Sequence, residues 1–532
     1  MQSDLSFSKH QRAAARFVLL GFCLLHVAGI MSYLLRDGRL SIVPIYDDVV
    51  YLIDGLRRLA VLDRQGIVGF LSDYVYAQPP HAPLVTLTSV LGLLLSAGAP
   101  WGPYLLNAGW ILLVLLLGRF ALRHANQWTR IGILVAALAI PMFGFVLAEF
   151  RPDPVWGLLV GFAVIVSAST DLIWARRRHL IALGLLFGLT IVSKPTAAPA
   201  SMVVLGIAWI AQVSASMLVA RARDISRTVR AGGWVALGAA CLFIPYLVTN
   251  GAAILAYVRE VMAGDSMWRT PGSAWEHITY YLSRPTGTLV LGWAWYAALP
   301  LFAGCVALIA WFRDKQALPA FAAVMAATTT AYLIVTVSAV KSLMIGSILY
   351  GTIVAAVVWS LGYLMTRIPF RGSAVLVAGA LVFAVAWVPR TGQIHREDPS
   401  MLAADTANRT ILPALTEVLR ARPNATVLVT VPGPAYAGTL DFLSRQQGMT
   451  RTFLSGYTSD SWERVWQSAS SADVIVVSEV GMVGQSLGYS FPSLKYQMRL
   501  LDELRTRAEF AGSPAFTDAK NRSVWLFVRN GK

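Results

Sequence analysis

The feature that most constrains this chain is a series of long apolar runs without a charged residue. Residues 18–35 and 155–170 contain no Asp, Glu, Lys or Arg, and each run approaches the roughly 20 residues that a helix needs to cross a bilayer. Of the 532 residues, 56% are hydrophobic and only 14% are charged, whereas about a quarter are charged in soluble proteins. No single water-soluble core buries so much apolar side chain. The sequence therefore predicts a polytopic α-helical membrane protein.

The formal net charge of +16 does not indicate a nucleic-acid partner, because the basic residues lie in short clusters between apolar runs. Membrane proteins mark their cytoplasmic loops in this way. The three cysteines, Cys23, Cys241 and Cys305, lie inside apolar runs, so they predict neither a disulfide framework nor a metal site. Basic residues precede the first run and no small-residue cleavage site follows it, which predicts an uncleaved first helix with its N-terminus inside.

Eleven spans satisfy the positive-inside rule together. If the first helix runs outward, every basic cluster between later spans is cytoplasmic and the C-terminus is outside. The apolar run 84–97 is only about 14 residues long, and counting it as a span would reverse every later loop, so we interpret it as an interfacial helix. The predicted spans are 17–35, 104–122, 131–148, 154–174, 180–193, 197–218, 232–249, 287–311, 318–337, 343–365 and 373–389.

This topology divides the chain into a membrane domain, residues 1–390, and a soluble domain, residues 391–532. The membrane domain has two large outer loops, 36–103 and 250–286. After residue 390 the charge density becomes that of a soluble protein. Strand-like runs at 425–431, 474–478 and 524–528 alternate there with helical patterns at 408–421, 461–470 and 493–510. We therefore expect a small α/β domain on the outer, periplasmic face.

An acidic pair, Asp47 and Asp48, follows the first span. Adjacent carboxylates repel each other, and holding two of them beside a membrane needs a reason. One structural reason is an N-cap on the helix that we expect to begin near Val49. Capping uses one carboxylate, which leaves the other for chemistry.

Other ionisable residues lie at predicted outer helix ends. Arg151 and Asp153 either pair with each other or bind a ligand. Lys194 ends a span so short that the lysine should be sunk into a cavity, with snorkelling to the surface as the alternative. Lys341 is a lone lysine on the side that the positive-inside rule disfavours. His81 lies in a Pro-rich turn, where a structural hydrogen bond is the alternative to a chemical role.

The loop 250–286 is rich in aromatic residues, namely Trp268, Trp275, His277, Tyr280 and Tyr281. They suit either stacking on sugar faces or an interfacial aromatic belt. Carboxylates and basic groups gathered on one membrane face are the combination that deprotonates a hydroxyl and stabilises a phosphate leaving group. Lysine suits the second task as a point charge.

The order of these motifs resembles the GT-C superfamily of lipid-dependent glycosyltransferases, in particular the branch of protein O-mannosyltransferases and the bacterial aminoarabinose transferase. Members of that superfamily open with one span and a large outer loop that carries an acidic pair and a downstream aromatic residue. Asp47, Asp48 and Tyr51 match that pattern, with Asp in place of the usual Glu.

Later motifs match as well, over about residues 1–390. The His/Pro-rich stretch 78–83 precedes the interfacial helix, and an Arg-Pro-Asp motif at 151–153 follows the third span. Lys194 lies in a Ser-Lys-Pro turn, and Lys341 corresponds to a late outer lysine. The sequence departs from the family after Lys341, where Ser-Leu-Met replaces a common Arg-Tyr pair.

The resemblance implies an inverting glycosyltransferase of the bacterial inner membrane, active in cell-envelope glycan biosynthesis. Its partners would be membrane lipids, a polyprenyl-phosphate-linked sugar donor and the periplasmic hydroxyl of a glycan, lipid or protein acceptor. It implies Asp47 as general base, with Asp48 and Asp153 orienting the acceptor, the base or the lipid head. No cofactor is required by this chemistry, and a divalent cation on these three aspartates is left open.

The resemblance also implies the substrate-binding residues. Arg151, Lys194 and Lys341 would neutralise the lipid phosphate, and Tyr51 and His81 would complete the binding site. Two alternatives differ in class: a transporter or flippase of a lipid-linked sugar or small anion, and a non-catalytic assembly subunit. A transporter is expected to hold charges deep in helix centres and to show repeated halves.

Overall fold

Most helices of the chain coincide with its apolar runs. The computed structural model describes residues 9–75, 82–172, 174–220, 225–262, 269–368, 370–394, 399–430, 433–479, 482 and 491–530. Among these residues, the helices up to residue 394 are α1 (Lys9–Arg36), α2 (Tyr46–Val75), α3 (Pro83–Leu95), α4 (Trp101–Leu106), α5 (Ala108–Ala121), α6 (Gln127–Leu138), α7 (Pro141–Ala148), α8 (Pro152–Ala168), α9 (Arg177–Ser193), α10 (Ala198–Ala220), α11 (Ile225–Met262), α12 (Ala274–Thr279), α13 (Arg284–Leu291), α14 (Trp293–Phe312), α15 (Leu318–Val337), α16 (Ser347–Arg367) and α17 (Gly372–Ile394).

Each of the eleven predicted spans corresponds to a helix or a pair of helices. Within the described residues, seven helical segments are long and apolar enough to cross a membrane, and α6 with α7 forms an eighth that is bent by 61°. The bend precedes Pro141, whose ring removes a backbone donor. The predicted spans 154–174, 180–193 and 373–389 correspond to α8, α9 and α17. The polytopic helical fold is thus confirmed, while the count of eleven spans stays a prediction.

Two segments that the sequence suggested were loops contain long helices. The segment 36–103 contains α2 and α3, and α3 is the helix expected at 84–97; its interfacial position stays a prediction. The prediction of a loop at 250–286 was wrong for its first part, because α11 continues through Met262. Asn250 does not end this helix: its side-chain amide donates to the carbonyl of Tyr246 at 3.3 Å and to that of Val75 at 2.9 Å.

Helices α8 and α16 lie parallel with their backbones in contact. Gly157 meets the carbonyl of Ser347, and one turn later Gly161 meets the carbonyl of Gly351. Both helices therefore begin at the same end of the bundle, which we call the acidic end because α8 carries Asp153 in its first turn.

Helices α9 and α11 are also parallel to each other, and both run opposite to α8 and α16. Gly184 meets the carbonyl of Val235, and one turn later Gly188 meets that of Ala239. Helix α9 follows α8 after a short turn and ends at Ser193, so α9 and α11 both begin at the end remote from Asp153. We call this the basic end.

The C-terminal domain is the small α/β domain that the sequence predicted. Its sheet has the order β2-β1-β3-β5-β4, in which β1 runs parallel to β2 and β3, and β5 runs antiparallel to β3 and β4. Its elements are α18 (Pro399–Ala421), β1 (Thr426–Val429), α19 (Ala437–Gln446), β2 (Thr452–Ser455), α20 (Trp462–Ser471), β3 (Val474–Ser478), α21 (Gln497–Thr506), β4 (Phe510–Thr517) and β5 (Ser523–Arg529).

The three predicted strands appear as β1, β3 and β5, whereas β2 and β4 were not predicted. Most side chains of β2 are exposed, so the strand lacks an apolar signal. Strand β4 contains Gly512 and Pro514 and an irregular register next to Pro514, and both residue types are depleted in strands. Each of these two strands lies at an edge of the sheet, where such sequences are tolerated.

A single methyl group tests the contact between α8 and α16. We expect Gly351→Ala to lower the free energy of unfolding by about 1–3 kcal/mol, because the added carbon meets the backbone at Gly157, which has no side chain to move. Tryptophan fluorescence during heating of the detergent-purified chain measures the effect. Gly206→Ala is the matched control, since Gly206 of α10 has open space beside it. Equal melting temperatures for both variants would contradict this packing.

Candidate active site

Asp48 is a buried carboxylate that ties three segments together. Its side chain is 1% exposed. One carboxylate oxygen accepts hydrogen bonds from the Tyr104 hydroxyl at 2.6 Å and from the backbone N–H of Phe150 at 3.0 Å. The Arg39 Nε lies 3.7 Å from the same oxygen. Asp48 therefore joins the start of α2 to α4 and to the turn that follows α7.

The prediction that one of the two aspartates is the N-cap of α2 was wrong. Helix α2 begins at Tyr46 rather than near Val49, so Asp47 and Asp48 both lie in its first turn. An acidic residue in this turn still interacts favourably with the positive end of the helix dipole. Consecutive helical residues point about 100° apart, which sends one carboxylate inward and the other outward.

Asp47 is the outward carboxylate, with 61% of its side chain exposed. Its Oδ2 accepts a hydrogen bond from the guanidinium of Arg151. Tyr51 lies one helical turn further along α2, and positions four residues apart share a helix face. Its side chain is partly buried against the core of the helical domain.

The contact between Asp47 and Arg151 is the first link of an ion-pair chain. The Nε of Arg151 lies 3.4 Å from Oδ2 of Asp153, and the ammonium of Lys194 donates to Oδ1 of the same carboxylate. The Lys194 Nζ also lies 4.9 Å from the centre of the Trp156 ring. Charges of alternating sign thus run from the exposed Asp47 to Lys194, which is 19% exposed. Arg151 does pair with Asp153, and Lys194 points into the protein rather than snorkelling.

Local sequence explains why Arg151 and Lys194, the two basic residues of the ion-pair chain, face inward across helix ends. Arg151 and Lys194 each precede a proline, and this position disfavours helical backbone. Arg151 has φ −146° and ψ 158°, directly before α8, and Lys194 has φ −145° and ψ 82°, directly after α9. Arg151 therefore lies directly before the start of α8 and Lys194 directly after the end of α9. Both positions are at the acidic end, with Asp153 between them.

Lys341 lies in the turn before α16, at the acidic end, but it contacts a different group. Its Nζ donates to the carbonyls of Val335 and Thr336 at 2.7 Å each. These carbonyls belong to the last turn of α15, where helix carbonyls lack partners within the helix. The ammonium also lies 5.4 Å from the Tyr281 ring centre. Lys341 forms no ion pair with a described residue, and burial lowers its pKa.

The aromatic residues of the predicted loop do not act as one surface. Tyr281 is fully buried and its ring contacts Tyr350, so for Tyr281 both alternatives, stacking on a sugar face and an interfacial belt, were wrong. Trp275 is exposed. Trp268 and His81 lie outside the described residues, so their roles stay sequence-based predictions.

A divalent cation on the three aspartates stays a prediction. Among the described residues, no group of three or more His, Cys, Asp or Glu side chains lies close enough to hold an ion. Each carboxylate contacts a basic group instead: Arg39 for Asp48, Arg151 for Asp47, and Lys194 for Asp153. Both oxygens of Asp153 and one oxygen of Asp47 contact basic groups, and we derive no step through a metal.

Several polar residues of the acidic end were missed by the sequence analysis. Arg39, which contacts Asp48, also donates to both carboxylate oxygens of Glu149 at 3.2 Å. An arginine in a segment predicted to be outside, where the positive-inside rule disfavours it, was a signal that could have found Arg39. Tyr104 lies in an apolar run and had no such signal.

A second charged cluster braces α2 where the chain folds back. Arg58 is fully buried, and its Nε donates to Asp54 at 3.2 Å while its Nη1 donates to Asp73 at 3.0 Å. Thr86 of α3 donates to Asp54 at 2.8 Å. Asp73 reaches Arg58 because Gly66 interrupts α2 with φ 68°, a conformation that favours glycine. The cluster holds the first half of α2 against α3.

The C-terminal domain contacts the segment that leads into the acidic pair. The backbone N–H of Val43 donates to a carboxylate oxygen of Asp405 at 2.7 Å, and the Thr439 hydroxyl donates to the carbonyl of Pro44 at 2.7 Å. Gly438 packs against Val49 of α2. The domain therefore lies at the acidic end and restrains residues 43–49 from outside the bundle.

Comparisons by sequence and by structure give different results. No family model matches the chain, and no curated protein matches it by sequence. The crystal structure of ArnT from Cupriavidus metallidurans in the apo state matches 97% of this chain and 98% of its own, with a TM-score of 0.62 and 15% identity. The chain has the GT-C fold.

Two further structures with this GT-C fold match at similar coverage of the chain. ArnT from Cupriavidus metallidurans bound to undecaprenyl phosphate matches 96% of this chain and 97% of its own, with a TM-score of 0.61 and 13% identity. The Archaeoglobus fulgidus oligosaccharyltransferase, in complex with Zn and sulfate, matches 94% of this chain and 72% of its own, with a TM-score of 0.54 and 10% identity. The GT-C resemblance seen in the motifs is therefore confirmed at the level of the fold.

Removing one member of the ion-pair chain should destabilise the GT-C bundle. We expect Lys194→Met to lower the free energy of unfolding by about 3 kcal/mol, the lower end for breaking a buried pair from one side, because Arg151 still contacts Asp153. Adding Asp153→Asn should recover part of that loss by removing a carboxylate that has lost one of its two basic partners. Thermal unfolding of both single variants and the double variant gives the coupling. Strictly additive losses would contradict the pairing.

Loss of the Thr439 hydroxyl should loosen the segment before the acidic pair. Thr439→Val leaves the Pro44 carbonyl without this donor, and we expect faster amide hydrogen exchange in residues 42–48, with exchange in α20 and α21 unchanged. Mass spectrometry of peptides after exchange measures the change. Thr506→Val is the control, because that exposed hydroxyl bonds within its own helix. Unchanged exchange at 42–48 would show that the contact does not restrain the segment.

Proposed function

We propose that this protein is a membrane glycosyltransferase that moves a sugar from a polyprenyl-phosphate carrier to an acceptor hydroxyl. The observation that carries the proposal is an exposed carboxylate, Asp47, bound to the ion-pair chain at one end of a GT-C bundle. The fold adds support, since one of the structures it matches over nearly its whole length is ArnT bound to undecaprenyl phosphate. The acidic end thus offers a base and cations to a donor whose leaving group is a phosphate.

Asp47 is the general base of the proposed reaction. It is the carboxylate of the pair that solvent reaches, whereas Asp48 is enclosed by Tyr104, Phe150 and Arg39. As the acceptor oxygen forms a bond to the anomeric carbon, its proton passes to Asp47, and the bond from that carbon to the carrier phosphate breaks. The carrier leaves as a polyprenyl phosphate. A single displacement of this kind inverts the configuration at the anomeric carbon.

The cations of the acidic end have separate roles in this proposal. Arg151 pairs with Asp47 and faces the leaving phosphate, and Lys194 pairs with Asp153, which in turn orients Arg151. The Lys341 ammonium has three N–H groups, and two of them donate to carbonyls of α15. The third N–H group is the one that would contact the phosphate. Asp48 is a positioning residue, because its hydrogen bonds set the start of α2.

The same proposal places the acidic end in the periplasm of a bacterial inner membrane. Arg177 and Arg230 belong to the basic clusters that the positive-inside rule assigns to the cytoplasm, and both lie near the N-terminal starts of α9 and α11, at the opposite end from Asp153. The C-terminal domain, which contacts residues 43–49, would then be periplasmic. An outward site is also where a lipid-linked sugar meets an extracytoplasmic acceptor.

Asp47→Asn tests the assignment of the base. We expect transfer from a radiolabelled polyprenyl-phosphate sugar to fall by about 100-fold or more, the usual contribution of a general base, while thermal unfolding stays close to that of the unmodified chain because Asp47 is exposed. Asp37→Asn is the matched control: Asp37 is also an exposed aspartate after the first span, and it pairs with Arg36 at 2.7 Å. Undiminished transfer by Asp47→Asn would exclude Asp47 as the base.

A further inference from the structure

A cavity of about 770 Å³ opens at the basic end of the helical domain. It lies between the turn that follows α8 and the first turns of α9 and α11. Its size falls within the range of ligand pockets, about 300–1,000 Å³. The lining residues are Trp174, Ala175, Arg177, Leu180, Arg227, Arg230, Ala231 and Trp234. None of them belongs to the ion-pair chain, which lies at the other ends of α8 and α9.

Positive charge predominates around this cavity, although Asp171 lies beside a lining residue, where its Oδ1 accepts from the backbone N–H of Trp174 at 3.2 Å. Three arginines line it, and no carboxylate does so among the residues that the structure describes. Within that part of the chain, Arg177 and Arg230 form no ion pair. The three arginines are solvent-exposed, and the positive potential of their cluster favours an anion between them.

Aromatic rings hold two of the guanidinium groups in place. The Arg227 guanidinium lies 4.1 Å from the Trp174 ring centre, and that of Arg177 lies 4.3 Å from the Trp234 ring centre. Stacking of this kind fixes the plane of a guanidinium and keeps its N–H groups available at the edge, where they match two phosphate oxygens. The rings therefore prepare the arginines for a phosphate group rather than for a halide.

Two helix starts add to the positive potential. Because α9 and α11 run parallel, their first turns lie side by side at the cavity. The first turn of α9 has no side-chain cap, and the exposed amides at such an end favour anions. This contribution supports the arginines and has the same sign.

The position of the cavity selects a lipid over a soluble anion. Trp174 is 64% exposed, and tryptophan at the end of apolar helices is typical of the level of lipid headgroups. Exposed apolar side chains, among them Leu185 of α9 and Leu237 of α11, continue from the cavity along the helices. A ligand with a phosphate head and acyl tails matches both surfaces. Basic pockets between helices on the cytoplasmic side bind such headgroups.

We propose that this cavity binds the phosphate headgroup of an anionic glycerophospholipid. The arginines contact the headgroup oxygens, the tryptophans lie at the interface, and the acyl chains follow α9 and α11. The site is separated from the ion-pair chain by the length of α8, which is 17 residues or about 25 Å. It therefore serves to hold a structural or regulatory lipid and has no part in the proposed transfer.

Native mass spectrometry of the full chain, purified in detergent and stripped of lipid, tests the proposal. We expect cardiolipin to bind more tightly than phosphatidylglycerol, and both more tightly than phosphatidylcholine. Arg177→Ala combined with Arg230→Ala should weaken cardiolipin binding by about 25-fold, about fivefold for each basic residue lost near a membrane surface. The matched control replaces Arg176 and Arg178 by Ala, which removes the same charge from exposed neighbours outside the cavity.

Three results would overturn the proposal. Equal weakening in the control pair would mean that general charge attraction, not the cavity, binds the lipid. Equal binding of phosphatidylcholine would exclude a site for anionic lipid. Displacement of cardiolipin by excess inorganic phosphate alone would identify a site for free phosphate.

A conservative pair of variants keeps the test informative if the alanine pair does not fold. Arg177→Lys with Arg230→Lys retains the charge but loses the planar, bidentate guanidinium, and we expect intermediate affinity for cardiolipin. Affinity equal to that of the unmodified chain would contradict the proposed geometry. None of these measurements uses transfer activity, so their outcome is independent of the proposed enzyme function.

Discussion

A buried charged group at the end of an apolar helix is stable only when a partner from elsewhere in the fold meets it. Removing a charge from water costs several kcal/mol, and only close opposite charges and hydrogen bonds offset that cost. In this protein the partners come from different helices: Arg151 and Asp153 at the start of α8, Lys194 at the end of α9, and Asp47 at the start of α2. The contacts that hold the helix ends together are therefore the same contacts that assemble the candidate site.

The two adjacent aspartates lie about 100° apart around α2 and meet different surroundings. Asp48 points inward, where a tyrosine, a backbone amide and an arginine surround it. Asp47 points outward and stays accessible. The docking of the C-terminal domain on residues 43–49 adds a second restraint on the same turn.

The two ends of the helical domain have different electrostatic character. At the acidic end, basic groups alternate with carboxylates, so the charges largely neutralise one another and a ligand enters a balanced network. At the basic end, arginines and tryptophans line a cavity without a carboxylate among the described residues. A balanced network suits proton transfer and a leaving group, while an unbalanced one suits the retention of an anion. Parallel packing of α8 with α16, and of α9 with α11, keeps the two ends apart.

The sequence by itself determined the helical class of the protein, the positions of its apolar helices, the α/β character of residues 391–532 and the motifs of a GT-C fold. Each depends on local periodicity or on composition, which a single chain displays. Only the tertiary structure decided that α11 continues past residue 250, that Lys341 bonds to α15, that Tyr281 is buried, and that Arg39 and Tyr104 enclose Asp48. The Lys341 bonds join residues five and six positions apart, but they depend on how the turn before α16 folds. The other features depend on contacts between residues tens to hundreds of positions apart, and no local pattern records which distant carbonyl or carboxylate a side chain meets.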